Sequence, residues 1–296
     1  MVGVQASLFI YMAIGYVLRK RNMTSKQFRS ELTNILVNIL LPCMVFDSFQ
    51  QDVSVDQLMS GVAILGLSFF LSFLAWWVGW LFFRNYPPEK AKILRYGTLI
   101  ANSGFAGLPV IQGAYGGEGL FLASIYIIPN RVLMWSAGIS LFTKGEKSDF
   151  IKKVLLNPGI IAVFLGLGWM LLDLPLPGFC ASAIGKLGDS TAPLSLLIVG
   201  SILADVDWRG IFERDVLLVS GVRLLLLPAV SLILLKVIGF SSLGTAIAVI
   251  LTGMPIDSTT AILAEKYGAD ALFASKCVFL STLFSLITIP VLTLFL

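Results

Sequence analysis

Long apolar blocks separated by short charged loops run the whole length of this 296-residue chain. Residues 58–83 and 277–296, for example, contain no Asp, Glu, Lys or Arg. A helix needs about 20 apolar residues to cross the hydrocarbon core of a bilayer, so each block is long enough to span it. The pattern predicts an all-α polytopic membrane protein with ten transmembrane helices. The predicted spans are 2–18, 32–49, 58–83, 93–114, 119–142, 154–172, 187–204, 215–236, 243–265 and 270–295.

Composition and loop charge support this interpretation. Charged residues make up only 13% of the chain, against about 25% in a typical soluble domain. Lys and Arg are concentrated in odd-numbered loops such as 19–29, whereas the even-numbered loops hold only Lys186 and Lys236. The positive-inside rule then predicts cytoplasmic odd loops and outward-facing termini in the plasma (inner) membrane. The first charges follow residues 1–18, which predicts a retained span rather than a cleaved signal.

One apolar region, 101–119, is interrupted by glycines, a proline and an asparagine, although a membrane-spanning chain must satisfy its backbone groups internally. The segment "GLPVIQGAYGGEGLFLAS" (107–124) resembles "GMPIDSTTAILAEKYGADALFAS" (253–275) in the second half. Two halves of five spans each must have opposite orientations, as in many secondary transporters. The sequence therefore predicts inverted repeats over 1–145 and 146–296.

The same comparison predicts that the fourth and ninth helices are both broken near the membrane midplane. The N-terminus of a half-helix carries unpaired N–H groups and the positive end of the helix dipole, so such breaks favour an anion site. Pro109 and Pro255 are predicted in the first turns of the new half-helices, where a missing N–H costs nothing. The alternative is that the small residues only allow close helix packing.

Several motifs occur in an order that is typical of one transporter family. They are "GYVLRKR" (15–21), "LTNILVNILLPCMVF" (32–46), "NSGFAGLPV" (102–110), "NPGII" (157–161), "GDSTAPLSLLIVGSILAD" (188–205) and "MPIDSTTAILAEKYGADALFASK" (254–276). Over essentially its whole length the chain resembles the auxin efflux carrier family of membrane transport proteins. That family includes plant PIN-type auxin carriers and bacterial malate or malonate permeases.

The resemblance implies a bile-acid sodium symporter-like or PIN-like fold, with helices four and nine crossing at their breaks. It implies a scaffold of spans one, two, six and seven that often dimerises, so a homodimer is expected. The remaining spans, three to five and eight to ten, would form a core that moves in an elevator-like manner. Asn102 matches the asparagine that contacts the substrate carboxylate in PIN-type carriers, and Pro255 matches the ninth-helix crossover. The short fifth loop favours the bacterial permease type over an auxin carrier.

Two charged residues near the predicted breaks each allow two interpretations. Asp257 either caps the second half-helix or carries a coupling proton across the membrane. Arg131 either binds a carboxylate of a dicarboxylate substrate or forms a structural ion pair with Asp257. Arg223 and Lys276 are expected to extend along the helix surface toward cytoplasmic loops.

The predicted function is secondary transport of a small organic anion, driven by its own gradient or coupled to a proton or sodium ion. The alternative is an anion channel or a non-transporting membrane sensor on the same scaffold. The chain has no histidine and no hydrolase, metalloprotease or nucleotide-binding motif, so no enzymatic activity, metal site, cofactor or nucleic-acid partner is predicted. The predicted substrate-binding residues are Asn102, Gly104, Gly107, Pro109, Asn130, Arg131, Pro255, Asp257, Ser258 and Thr259.

Overall fold

The structure is a computed structural model that describes residues 2–50, 55–134, 138–142, 156, 158–172, 174–205, 211–257 and 259–296. The described regular structure is helical, as the hydropathy pattern predicts. The helices are α1 (Val2–Lys20), α2 (Lys26–Asp47), α3 (Val55–Phe83), α4 (Pro88–Leu99), α5 (Leu108–Leu133), α6 (Ile139–Phe142), α7 (Pro158–Leu171), α8 (Gly178–Asp189), α9 (Thr191–Ala204), α10 (Arg214–Ile238), α11 (Ser242–Thr252), α12 (Thr259–Lys266) and α13 (Ala271–Thr293).

Four helices of the described chain are long and apolar enough to cross a membrane: α2, residues 58–83 of α3, α10 and α13. Large apolar side chains on all four are exposed, including Ile39, Phe73, Ile233 and Ile287. Exposed apolar surface of this kind on long helices suits contact with lipid rather than with water. The count of ten spans stays a prediction.

Helix boundaries differ from the predicted ones, for example around Gly116 and before the predicted seventh span. A kink at Gly116, whose φ of 62° favours glycine, divides α5 close to the predicted boundary between the fourth and fifth spans. The predicted seventh span, 187–204, is preceded by a helix that already begins at Gly178. Lys186 therefore lies within α8 and not in a loop.

Three wide π-helical turns lie wholly within the described residues, and each ends two residues before a proline. The turns are Leu36–Leu40, Ser103–Gly107 and Val222–Leu226, and the prolines that follow are Pro42, Pro109 and Pro228. A proline lacks the N–H that the carbonyl four residues earlier would accept, and its ring crowds that carbonyl. A locally widened turn relieves this conflict without ending the helix.

The described chain falls into two compact units that interleave along the sequence. The first unit comprises Met1–Val62, Gly104–Ile125 and Val154–Val206. Its helices approach closely at glycines: a methyl group on Gly15 of α1 would overlap the carbonyl of Leu197 in α9. A methyl group on Gly188 of α8 would lie 2.9 Å from the Cα atom of Met44 in α2. Backbone contact through small residues is typical of helices that pack within a membrane.

An ion triad joins three segments of the first unit. The Nε atom of Arg19 donates to Oδ1 of Asp205 (2.6 Å), and Nη1 of Arg29 donates to Oδ2 (2.7 Å). Arg29 also donates to the carbonyl of Ser201 (3.3 Å). Burial alone would raise the pKa of Asp205, but the two arginines outweigh it and hold the pKa below its usual range.

The second unit comprises Ala63–Ser103, Tyr126–Lys153 and Asp207–Leu296. Lys90 pairs with Asp215 (2.8 Å), and this hydrogen bond raises the pKa of Lys90. Lys276 pairs with Glu213 (2.5 Å) just before α10, in the predicted seventh loop. Both pairs connect the N-terminal end of α10 to a neighbouring helix of the unit.

Both predicted broken helices are interrupted, but the prolines do not occupy the predicted positions. Helix α4 ends at Leu99, and residues 100–102 are non-helical before the π turn that begins at Ser103. Pro109 is the second residue of α5, but the π turn precedes α5, so Pro109 lies more than one turn after the second half-helix begins at Ser103. Pro255 lies within the other break, between the end of α11 and the start of α12 at Thr259. The fixed φ of proline suits an extended segment as well as a first helical turn, so the motif alone does not distinguish the two positions.

Candidate functional site: the paired helix breaks

The two breaks pair with each other inside the second unit. Ala101 and Ile256 form an isolated antiparallel bridge. The N–H of Asn102 donates to the carbonyl of Pro255 (2.8 Å), and the N–H of Asp257 donates to the carbonyl of Ile100 (3.3 Å). Backbone that leaves a helix inside a membrane protein needs such partners because no water is available to replace them. These bonds therefore replace some of the helical hydrogen bonds that are lost at the two breaks, and they fix the position of one break relative to the other.

Arg223 satisfies two more carbonyls at the breaks. It lies in the π turn of α10 and is 2% exposed. Its Nε atom donates to the carbonyl of Met254 (3.0 Å), and Nη1 donates to the carbonyl of Thr98 (2.7 Å). The Thr98 carbonyl belongs to the C-terminal end of α4, where the helix dipole is negative, and the Met254 carbonyl lies in the break two residues after α11 ends. The expectation that Arg223 extends to a cytoplasmic loop is wrong, because it is buried and donates to these interior carbonyls.

Asp257 caps the second half of the ninth helix, and the cap uses only one carboxylate oxygen. Oδ1 accepts a hydrogen bond from the N–H of Thr259 (2.8 Å), directly at the start of α12. Oδ2 is buried without a hydrogen-bond partner, and the residue is 2% exposed. The hydroxyl of Thr260 is likewise buried without a partner. The capping role is thus present in the structure, while the proton-carrying role stays a prediction.

Asn102 lies directly before the π turn Ser103–Gly107, at the start of the second half of the fourth helix. It is 7% exposed, and its Oδ1 atom is buried without a hydrogen-bond partner. Side chains alternate between the two sides of an extended segment. Asn102 and Asp257, each next to a bridged residue, therefore share one side of the pairing as diagonal neighbours.

Two tyrosines form hydrogen bonds to residues on either side of the ninth-helix break, all within the second unit. The hydroxyls of Tyr96 in α4 and Thr259 in α12 share a hydrogen bond (2.9 Å). The hydroxyls of Tyr126 in α5 and Thr252 in α11 share another (2.8 Å). Both tyrosines are buried within apolar helices, so the sequence offered no signal that separated them from ordinary core residues.

Arg131 and Asn130 lie in α5 beyond Pro129, and both are half-buried. The guanidinium of Arg131 contacts the sulfur of Met134 (3.7 Å). Between these described side chains there is no ion pair that joins Arg131 to Asp257, so the structural alternative for Arg131 is not realised here. Tyr96 lies within electrostatic range of both charges. The substrate-binding role of Arg131 and Asn130 stays a prediction.

The remaining predicted residues fall outside this cluster. Gly104, Gly107 and Pro109 belong to the first unit, where the two glycines form part of the π turn and Pro109 is the second residue of α5. Ser258 lies outside the described residues. Their roles at a binding site stay predictions.

The arrangement has a definite electrostatic character. Arg223 donates to the negative end of α4 and to a carbonyl in the break that follows α11, and Asp257 occupies the positive start of α12. The start of the other half-helix has only the neutral Asn102. Buried oxygens without a donor are costly, and Oδ1 of Asn102 and Oδ2 of Asp257 are two such oxygens, open to a hydrogen-bond donor. The described part of the chain contains no cluster of three His, Cys, Asp or Glu residues that could hold a metal ion.

Comparison with known proteins agrees with a transport role. The family described as "Membrane transport protein" matches residues 4–152 and 147–293, which together cover nearly the whole chain. The chain belongs to this membrane transport protein family. The motifs quoted above predicted this membership, which is now confirmed.

Two archaeal relatives of this membrane transport protein align along almost their whole length. An uncharacterized transporter of Methanothermobacter thermautotrophicus is 28% identical over 292 residues, covering 96% of this chain and 94% of the relative. An uncharacterized transporter of Methanocaldococcus jannaschii is 25% identical over 294 residues, covering 95% and 94%. The family and these relatives are transporters rather than enzymes.

Proposed function

We propose that this transporter is a secondary carrier of a small organic anion, which binds beside the paired breaks of the second unit. The substrate class is a carboxylate or dicarboxylate, such as malate, malonate or an auxin-like acid. The observation that carries the proposal is that Asn102 and Asp257 are buried next to the starts of two half-helices, and each has an oxygen without a hydrogen-bond partner. The amide N–H groups of Asn102 are donors of the kind that a carboxylate substrate needs. Such positions bind anions through free N–H groups and the positive dipole end.

Protonation of Asp257 would make this site compatible with an anion. An ionised carboxylate beside the substrate carboxylate would repel it, and both would be poorly solvated in the protein interior. Once Oδ2 binds a proton, it becomes a donor to the substrate, while Oδ1 still caps α12. The proton and the anion would then cross together. Sodium as the coupling ion is an outcome that the test below distinguishes.

Arg131 is proposed to bind a second substrate carboxylate, with Asn130 beside it. The guanidinium is half-buried and contacts only a thioether among the described side chains, which leaves its fork of donors for a ligand. A bidentate pair with a carboxylate is the strongest contact that this side chain makes. This geometry favours dicarboxylates over monocarboxylates.

Alternating access of this site is proposed to follow the elevator scheme that the family resemblance implies. The proposal includes ten spans in two inverted repeats, a scaffold of spans one, two, six and seven, a homodimer in the plasma membrane, and termini on the outside. Interrupted helices at corresponding positions of the two halves support it, because inverted-repeat transporters bind substrate at such interruptions.

Uptake by the purified protein in proteoliposomes tests the proposal. We expect saturable uptake of labelled malate or malonate, faster when the outside is acidic, and weaker uptake of lactate and indole-acetate. Sodium dependence without pH dependence would assign the coupling to sodium. Non-saturable flux would indicate the channel alternative, and an absence of flux for every acid would contradict the proposal.

A matched pair of asparagine variants locates the site. Asn102→Ala removes a buried amide at the break, whereas Asn38→Ala removes an exposed amide that donates to the carbonyl of Asn34 (2.8 Å). We expect Asn102→Ala to raise KM at least about fivefold, since one lost hydrogen bond to a charged group costs about 1.5–3 kcal/mol. Asn38→Ala should leave KM unchanged. Equal effects of the two variants would remove the argument for a site at the breaks.

A further inference from the structure

Arg223 is a fully buried cation whose hydrogen-bond partners are backbone carbonyls. The carbonyls of Met254 and Thr98 accept from two different nitrogens of its planar group. Among the described side chains, no carboxylate forms an ion pair with Arg223. The carboxylate of Asp257 acts on it only electrostatically, without a hydrogen bond. A buried charge with this set of partners requires an explanation, because burying an ion without a partner of opposite charge is costly.

The helix breaks supply that explanation. Interrupting a helix leaves its last carbonyls without N–H partners and exposes the negative end of its dipole. The carbonyl of Thr98 at the end of α4 and the carbonyl of Met254, in the break two residues after α11, both accept from the same guanidinium. In transporters with discontinuous helices, unwound carbonyls and half-helix C-terminal ends commonly coordinate a sodium ion or a proton. The same backbone groups are therefore suitable ligands for a cation.

We propose that the guanidinium of Arg223 is a tethered cation that occupies the place of a coupling metal ion between the two breaks. An arginine cannot lose its charge in a protein, and it cannot dissociate during the transport cycle. The position is therefore filled in every state of the carrier. It follows that this site binds neither sodium nor potassium, and that transport needs neither ion.

The local structure of α10 places the guanidinium for this role. Arg223 lies in the π turn Val222–Leu226, which precedes Pro228. A π turn rotates the side chains on its two sides relative to each other and is common at functional positions. Arg95 offers a contrast, because it donates to the single carbonyl of Phe83 (3.3 Å) at the end of α3 and is only half-buried.

Removal of the tethered cation with chemical rescue tests the proposal. Wild-type uptake should be the same in sodium, potassium or N-methylglucamine buffers. Arg223→Ala should lower uptake at least about tenfold, the effect of one lost charge-assisted hydrogen bond, and millimolar guanidinium or methylguanidinium should restore it. Arg223→Lys should restore little, since an ammonium group cannot reproduce the planar fork. Arg95→Ala should not respond to guanidinium.

The transport part of this inference rests on the proposed function, so a second test uses no substrate and measures thermal stability. Low concentrations of guanidinium should raise the Tm of detergent-solubilised Arg223→Ala and leave the Tm of the wild type and of Arg95→Ala unchanged. A specific rise without any measurable uptake would keep the tethered cation and contradict the anion carrier. Sodium-dependent wild-type uptake would overturn the tethered cation, and so would a folded Arg223→Ala protein that responds to no cation. If Arg223→Ala does not fold, the ion dependence of the wild type alone decides.

Discussion

The two compact units bring backbone segments together in opposite ways. In the first unit, intact helices touch through glycine, as at Gly15 of α1 and Gly188 of α8. In the second unit, two helices give up their regular hydrogen bonds at residues 100–102 and 253–257 and bond to each other. Intact helices expose few polar groups when they pack closely, so their contacts contribute mainly to stability. Interrupted helices leave backbone polar groups without helical partners, and a ligand can form hydrogen bonds to those groups. The energy lost by interrupting a helix is therefore compatible with a role in binding.

This difference implies that lesions in the two units have separable effects. Substitutions at the breaks should reduce transport by each folded molecule. Substitutions at the glycine contacts and the ion triad of the first unit should reduce the amount of folded protein.

The largest effect on transport is expected for Asp257→Asn. The asparagine oxygen keeps the cap on Thr259, but the amide that replaces Oδ2 cannot bind a proton. Stimulation of uptake by an acidic exterior should fall at least about tenfold, the effect of about 1.4 kcal/mol, with Tm nearly unchanged. Asp270→Asn is the control, because Asp270 caps α13 through Phe273 (2.9 Å) but is exposed. Retained pH stimulation in Asp257→Asn would contradict the proton-carrying role.

The largest effect on stability is expected for Gly15→Ala. The added methyl group overlaps the backbone carbonyl of Leu197, which cannot move aside as a side chain could. Overpacking of this kind costs about 1–3 kcal/mol. Thermal unfolding should show a clearly lower Tm, with normal uptake per folded molecule. Gly66→Ala is the control, since nothing lies within 4 Å of its added methyl group.

A smaller effect separates two similar hydrogen bonds within the second unit. Tyr96→Phe removes the bond to Thr259 at the start of α12, and Tyr126→Phe removes the bond to Thr252 at the end of α11. Each loss should cost about 1 kcal/mol of stability. Only Tyr96→Phe should also raise KM, because Thr259 directly follows the break. Equal KM values for both variants would show that the binding site does not extend to Tyr96.

The smallest effect is expected from the ion triad of the first unit. Because the pKa of Asp205 is held below its usual range, the triad stabilises the folded protein above the ordinary pKa of an aspartate. This stabilisation is lost as the pH falls through the lowered pKa. Asp205→Asn should cost about 0.2–1 kcal/mol near neutral pH and progressively less in acid. Thermal unfolding against pH measures the difference, and a loss of uptake per folded molecule would contradict the assignment to stability.

Much of this picture was predictable from sequence, and the failures have physical causes. The apolar blocks predicted helices because membrane thickness fixes their length, and the repeated proline motifs predicted both interruptions. The position of the first break was missed because Pro109 marks a π turn and not the break itself. Arg223 was misjudged because its burial depends on carbonyls of Thr98 and Met254, which are distant in sequence. Hydropathy is a property of one continuous stretch of sequence, whereas hydrogen-bond partners from distant stretches are known only once the chain has folded.

The π turns before Pro42, Pro109 and Pro228 have a consequence for tolerance of insertions and deletions. Each turn is equivalent to one residue added to a regular α-helix. Deleting a single residue there would restore the regular helix and rotate everything beyond it by about 100°. For the turn in α10, that rotation would change the direction of the Arg223 side chain relative to the side chains in the rest of the helix. A one-residue change of length at this position would therefore be more damaging than most substitutions nearby.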